Sequence, residues 1–404
     1  MGLFVAALAL LLASGCDGGG GQEEEQAEEE QASKDALDSQ DALNAALEQS
    51  FSESGAPGVI AAVQTPEDTW VGTLGVADLS SEEPMSADMH QRIGSVTKTF
   101  TVSLLLQAAA DGLLSLDDTI DRYVENVPNG DEITLRQMAN MTSGIASYTF
   151  NEQWQDAFFS DPQRIWRPEE LVRFGITDSP AFDPGTEFQY SNTNTVLLGL
   201  VLEQVSGKPI GDLYRERIIE PLGLQQTSFP NADPTLPDPH PQGYTLQGQD
   251  GGELLNATDW NPSWGWTAGA MISTVEDMLV YGRALGTGEG LLPPEQQAER
   301  LNSFMGGPPP LSADKDYGIG LVNDHGWLGH TGELPGFNTA VYYHPELDAT
   351  VVVEVNSDIP SGDCPADRPT MTDAPHEDIP CADPADRIFG ALAEALGEPL
   401  GTDQ

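Results

Sequence analysis

RIGSVTKTFTVSLLLQ, residues 92–107, decides how this chain reads. It sets Ser95 and Lys98 three residues apart. On a helix such positions share a face, so the amine reaches the hydroxyl. A serine hydroxyl is a weak nucleophile until a neighbouring group takes its proton. The 404 residues include only four lysines, Lys34, Lys98, Lys208 and Lys315. One of them placed beside a serine at the head of a helix is therefore a chemical signal. Residues 96–109 are apolar nearly all round, which predicts a buried helix.

Two further motifs follow in order. Tyr190-Ser191-Asn192 begins 95 residues after Ser95, and His330-Thr331-Gly332 a further 140 residues on. Together the three boxes vary the Ser-x-x-Lys, Ser-Asp-Asn, Lys-Thr-Gly pattern of penicillin-binding proteins and class A β-lactamases. With Tyr in the second box and His in the third, the chain resembles the serine D-alanyl-D-alanine carboxypeptidases and their class C β-lactamase and esterase relatives. The likeness extends to ITLRQMANMTSG (133–144), YSNTN (190–194), SWGWTAGAMIST (263–274), YGIGL (317–321) and GHTG (329–332). It covers about residues 45 to 357.

The resemblance implies acyl transfer through a covalent Ser95 intermediate. Lys98 would orient and deprotonate Ser95. Tyr190, its phenol made more acidic by Lys98 and His330, would shuttle protons. Asn192 would hydrogen-bond Lys98 or the substrate amide. Thr331 would meet the substrate's terminal group, and Trp264 would line the cleft. The backbone N–H groups of Ser95 and Glu333 would form the oxyanion hole. No cofactor or metal is implied. Taken singly, each residue also has an ordinary reading: Tyr190 as a half-buried ring, His330 as a surface histidine, and Trp264 and Trp266 as core aromatics.

The pattern departs from the carboxypeptidases at the substrate anchor. An Arg after the YGxGL segment and a Thr after His-Thr-Gly hold the terminal carboxylate there. The corresponding residues here are Val322 and Glu333. An acidic side chain beside a carboxylate is unfavourable in a partly dry cleft. The leading expectation is a D-alanyl-D-alanine carboxypeptidase-like D-peptidase. The alternatives are an esterase or amidase of the same fold, a β-lactamase, and a non-catalytic penicillin-binding sensor. A small peptide, ester or amide is the expected partner, and the protein is expected to be a monomer.

The formal net charge is −49. Such a surface repels nucleic acid and anionic lipid and suits high ionic strength, where screening removes self-repulsion. Residues 1–16 read as an export signal, with an apolar run too short to span a bilayer. The run ends at Cys16 in a sequence resembling a bacterial lipoprotein cleavage site, so a lipid anchor and an exported, membrane-tethered enzyme are expected. Residues 17–39 form an acidic, low-complexity tether. Cys364 and Cys381 enclose a Pro/Asp-rich insertion, and an even pair in an exported protein reads as a disulfide. A metal site with His376 is the alternative, without Cys-x-x-Cys spacing. Asp363, Asp367 and Asp373 are the carboxylates there that could meet a cation.

Residues 40–400 form the expected catalytic unit. A helix from about residue 42 precedes alternating strands at 58–64 and 69–76. A mainly helical lobe covers about 110–265. Strands return at 338–345 and 349–357, and a last helix over 384–396 packs on them. Strands at both ends around a helical middle predict an α+β fold, an antiparallel sheet flanked by helices plus a helical lobe.

Overall fold

The computed structural model describes residues 39–177, 180–248, 252–304, 311–312, 314–365, 368–370 and 379–401. The expectations for Cys16, the tether, Asp367, Asp373 and His376 lie outside these residues.

An eight-stranded antiparallel sheet organises the molecule. Its strands are β1 (Gly58–Gln64), β2 (Thr69–Asp78), β3 (Glu83–Pro84), β4 (Lys315–Tyr317), β5 (Val322–Asp324), β6 (Trp327–Leu334), β7 (Phe337–His344) and β8 (Ala349–Val355). They run in the order β3-β2-β1-β8-β7-β6-β5-β4. The two ends of the chain therefore meet at the sheet's centre, with Ile60 opposite Glu354 and Val63 opposite Val351.

Side chains alternate between the faces of a strand, and here both faces are covered. On the outer face, Val59, Ala61, Ala340, Tyr342, Val351 and Val353 pack against two helices. These are α1 (residues 39–54) and α5 (Pro384–Ala395). Ile388, Phe389 and Leu392 of α5 are fully or nearly fully buried. Each such side chain contributes roughly 1.5–3 kcal/mol. On the inner face, Ile60, Ala62, Val341 and Val352 join the core of the helical lobe. Helix α4 (Val275–Thr287) lies directly on this face. A Cβ added at its Gly282 would come within 2.7 Å of Thr350, and one at its Gly286 within 2.1 Å of the Tyr343 ring.

Helix α2 (Thr97–Ala110) runs through the middle of the lobe, and twelve of its residues, from Thr97 to Ala108, are buried. That explains its lack of a polar face. Helix α3 (Asn192–Ser206) packs beside it. Their starts bring the first two motifs together, and β6 carries the third.

Candidate active site

Ser95 lies in a 3-10 turn, Gly94–Val96, that leads into α2. Gly94 has φ +50°, and a Cβ there would fall 2.7 Å from the Glu333 nitrogen. Only glycine suits both the left-handed backbone and the close approach. On the facing strand, a Cβ at Gly332 would fall 2.0 Å from the Ile93 carbonyl oxygen and 3.0 Å from the Ser95 nitrogen. Two bare glycines thus let β6 press against the nucleophile turn. The peptide nitrogens of Ser95 and Glu333 are brought together at one edge of the cleft. The Ser95 nitrogen also lies at the head of α2, where unpaired N–H groups and the helix dipole favour negative charge.

The Lys98 amine is fully buried. Its Nζ lies 2.8 Å from Ser95 Oγ and 2.7 Å from the Ala268 carbonyl oxygen. Burial pushes its pKa well below the usual lysine value. A neutral amine donates one N–H to the Ala268 carbonyl, which can only accept. Its lone pair is then free to take the Ser95 proton. Ala268 is a backbone contact that no side-chain pattern encodes. It sits in a short helix, Trp266–Gly269, whose first residue has φ +36°. Such a conformation is strained for a tryptophan. Trp266 is a core residue.

Tyr190 sits over this pair, with Lys98 Nζ 4.9 Å from its ring centroid. Its hydroxyl is buried and has no partner within hydrogen-bond geometry. Burial pushes the phenol above its ordinary pKa, and the influence of the nearby Ser95 hydroxyl only partly opposes this. The expected acidification of Tyr190 is therefore corrected: the resting phenol holds its proton.

His330 supplies no charge to oppose that burial. It is 3% exposed, with Nδ1 2.5 Å from the Thr331 carbonyl oxygen and Nε2 3.1 Å from the Tyr317 hydroxyl. The carbonyl accepts, so Nδ1 carries the proton and Nε2 accepts from Tyr317. Burial and then the Lys98 charge push the imidazole down to about 3. A neutral ring has no charge with which to acidify Tyr190. Tyr317 packs edge-on to both rings, at centroid separations of 5.7 and 6.0 Å. Sequence reasoning quoted its segment but assigned the residue no role; the YGIGL match was the available signal.

Of the two partners expected for Asn192, Lys98 is not used: the Asn192 side-chain nitrogen donates to Thr149 Oγ1 at 3.1 Å and its backbone N–H to Ser147 Oγ, while Lys98 meets Ser95 and Ala268. Trp264 is half-buried and packs on Phe158 and Trp154 at 5.1 and 5.7 Å. Thr331 is part-exposed beside His330. Val322 packs with the outer core and brings no charge to the cleft.

Glu333 lines a cavity of about 380 Å³ together with Phe159, Gln247, Asp358, Ile359 and Arg368. Gln247 Nε2 donates to Asp358 at 2.6 Å and to Glu333 at 3.2 Å. Surrounding protein, then Asp383 and Asp358, raise the Glu333 pKa to about 8. The side chain nevertheless touches solvent inside the cavity, so water moderates that rise. The direction is upward, from the surrounding protein first and then from three carboxylates set against one guanidinium. Cys364 and Cys381 form a disulfide with Cα atoms 4.6 Å apart. Among the described residues no cluster of three or more His, Cys, Asp or Glu could hold a metal ion, and no helix is long and apolar enough to cross a membrane.

Comparison with known proteins agrees with this geometry. A family model described as Beta-lactamase matches residues 43–375. The D-stereospecific amidohydrolase from Streptomyces sp. is 32% identical, with a TM-score of 0.71 over 80% of this chain and 94% of that one. A D-amino acid amidase from Ochrobactrum anthropi SV3, solved with D-phenylalanine, is 25% identical, with a TM-score of 0.73 over 88% and 99%. Protein flp of Staphylococcus aureus (strain MW2) is 26% identical over 79% of this chain, which spans 63% of that protein's length.

Proposed function

Because the chain belongs to the beta-lactamase family of serine hydrolases, we propose that it hydrolyses amide bonds of D-amino-acid derivatives bearing a free amine. The carrying observation is Lys98 Nζ held between Ser95 Oγ and the Ala268 carbonyl. Lys98 takes the Ser95 proton as Oγ attacks the scissile carbonyl. The oxyanion forms between the N–H groups of Ser95 and Glu333. Each such donor is worth roughly 2.7–4 kcal/mol. Tyr190 gives its proton to the departing amine and recovers one from Lys98, leaving an ester on Ser95. Water then enters and attacks the ester carbonyl, Lys98 takes up its proton and delivers it to the departing Ser95 Oγ, and the acid leaves as the Ser95 hydroxyl is restored.

The substrate class follows from charge. The α-ammonium of an aminoacyl amide lies two bonds from the scissile carbonyl carbon, and in this reading it meets Glu333, whose peptide nitrogen adjoins the nucleophile turn. An ammonium there favours the ionised carboxylate, whereas the carboxylate of a D-Ala-D-Ala terminus or a β-lactam would meet it as a like charge. Support also comes from the amidohydrolase and amidase neighbours. The disulfide accords with an exported enzyme, as does the reading of Cys16 as its lipid anchor.

The test is turnover of a D-aminoacyl amide and labelling by a fluorophosphonate and, separately, by a fluorescent penicillin, each in wild type and Ser95→Ala. Turnover and a single adduct, both lost in the variant, are the expected result. A Ser95 adduct with penicillin but no amide turnover would return the protein to the carboxypeptidase reading. No adduct and no turnover would remove catalysis altogether.

A further inference from the structure

The carbonyl that holds the Lys98 amine ends a very short helix. Trp266–Gly269 has four residues, so its last carbonyls find no partner within it. The chain that follows supplies none. The Met271 N–H, which would bond the Thr267 carbonyl in a continued helix, goes to Thr97 Oγ1 at 3.1 Å. The Ile272 N–H, which would bond the Ala268 carbonyl, goes to the Ser228 carbonyl. Helix α2 takes both carbonyls instead. Thr101 Oγ1 donates to the Thr267 carbonyl at 2.7 Å, and Lys98 Nζ donates to the Ala268 carbonyl at 2.7 Å. Lys98 and Thr101 stand three residues apart, on one face of the helix.

Thr101 is itself held from behind. Its hydroxyl lies 2.6 Å from the Tyr214 hydroxyl. A hydroxyl has one proton to donate, and Thr101 directs its own at a carbonyl that can only accept; the Thr97 carbonyl is further away, at 3.3 Å. Tyr214 is therefore the donor to Thr101, and burial keeps its phenol protonated. Lys98, Thr101, Tyr214 and Thr267 are all fully buried. A buried line thus runs from Tyr214 through Thr101 to the Thr267 carbonyl, one peptide from the carbonyl on Lys98. Helix α3 fixes the other side of the turn. Thr267 Oγ1 donates to the Thr195 carbonyl at 2.9 Å. A Cβ at Gly199 would fall 2.6 Å from Thr267 Cγ2 and 2.7 Å from the Trp266 ring. Strained backbone such as that of Trp266, at φ +36°, persists only where the surroundings over-determine it.

Resting on Lys98 as the base of the mechanism above, we infer that Thr101 and Tyr214 are positioning residues: through the Thr267 peptide they fix the Ala268 carbonyl and so aim the Lys98 lone pair at Ser95 Oγ. Neither touches substrate. Without the Thr101 hydroxyl the Thr267 carbonyl is left buried and unpaired, which is costly, and the turn shifts to relieve it. The Ala268 carbonyl moves with it, and the amine turns its lone pair away from the Ser95 proton. A carbonyl also favours the charged form of the amine that donates to it, so its withdrawal lowers the pH at which Lys98 takes a proton.

The experiment uses the full chain. It follows the rate of Ser95 labelling by a fluorophosphonate against pH, beside kcat and KM for a D-aminoacyl amide. Thr101→Val is close in shape and lacks the hydroxyl. It is expected to lower the labelling rate and kcat by about tenfold or more, the scale on which small displacements of a catalytic group act, with KM within about twofold. Its acid limb should move to lower pH by at least about half a unit. Thr101→Ser should restore most of the rate, and Tyr214→Phe should show the same changes in smaller measure. Tyr281→Phe is the control. It removes a hydroxyl from a second buried pair on α2, Thr99 Oγ1 and Tyr281 at 2.8 Å, and should lower stability without moving the rate or the limb. Wild-type rate and limb in both Thr101→Val and Tyr214→Phe, or equal changes in Tyr281→Phe, would overturn the inference and leave amide turnover standing. If circular dichroism shows Thr101→Val unfolded, Tyr214→Phe against Tyr281→Phe decides between the same outcomes. Labelling of wild type without amide turnover would overturn the D-amidase reading, and the labelling rates of the variants would still decide this inference. A wild type that neither labels nor turns over amide would overturn both.

Discussion

At the scale of single residues, the site combines a base and an acid that burial has moved towards each other. The Lys98 amine is held down and the Tyr190 phenol is held up, so burial favours the neutral form of each beside Ser95. Catalysis then falls at low pH as Lys98 takes a proton, and the imidazole takes no part because its pKa is about 3. The acid limb of kcat/KM should therefore stay within half a pH unit in His330→Gln. A limb that vanishes or moves by more than a unit would identify His330 as the titrating group. Glu333 gives a second prediction. Glu333→Gln should raise KM for a D-aminoacyl amide about tenfold or more, the order expected for losing a charged contact, and leave KM for its N-acetylated counterpart unchanged. Equal changes for both would remove Glu333 as the ammonium contact. The boxes made Ser95, Lys98, Tyr190 and His330 legible in the sequence. The protonation of Tyr190 and His330 was not, because it depends on burial created by residues such as Tyr317, far away in the chain. Arg368, Gln247 and Asp358 carried no signal, since no fixed spacing relates them to Ser95.

At the scale of elements, the proposed oxyanion hole depends on how closely β6 approaches the turn before α2. Gly332→Ala would put a Cβ on the Ile93 carbonyl and the Ser95 nitrogen, prising the two donors apart. Turnover should fall by about 10²–10³, the loss seen when one such donor is removed, while circular dichroism stays native in shape. Near wild-type kcat would mean that the hole is built elsewhere. The same contact explains which strands could be read in advance. Strands β1, β2, β7 and β8 are rich in β-branched and aromatic residues and lie within two residues of their expected limits. Strand β6 was recognised only as a motif, because Gly329, His330 and Gly332 interrupt the strand pattern that their close neighbours require. Strands β4 and β5 have three residues each, too short for alternation to register. Helix α2 was legible because total burial removed every polar stripe.

At the scale of the molecule, acidity sets the conditions for stability. Beyond the net charge of −49, several carboxyls are held above their ordinary values by burial. Asp358 rises to about 6 and Asp386 to about 7. Glu354, fully buried on the inner face of β8 with neither oxygen hydrogen-bonded, rises well above the usual range. Below the unfolded value, about pH 4, both folded and unfolded chains hold these protons and no penalty arises. As pH rises through that value the unfolded chain loses them first. At these carboxyls the native state then binds more protons than the unfolded one, and their contribution to the free energy of unfolding falls with pH until the folded values are passed, against the opposite contribution of the two depressed bases, Lys98 and His330. Surface repulsion acts in the same direction, and salt screens it. Thermal melts should accordingly give a higher Tm at pH 5 than at pH 8. Raising NaCl from about 0.1 M to 1 M shortens the screening length from roughly 10 to 3 Å, which should narrow the gap without closing it, because buried carboxyls are beyond the reach of screening. Glu354→Gln removes one of those protons from the balance and should narrow the remaining gap at high salt. A Tm that is flat or rising from pH 5 to pH 8, or a gap abolished by salt alone, would show that surface charge and not the buried carboxyls governs the pH response.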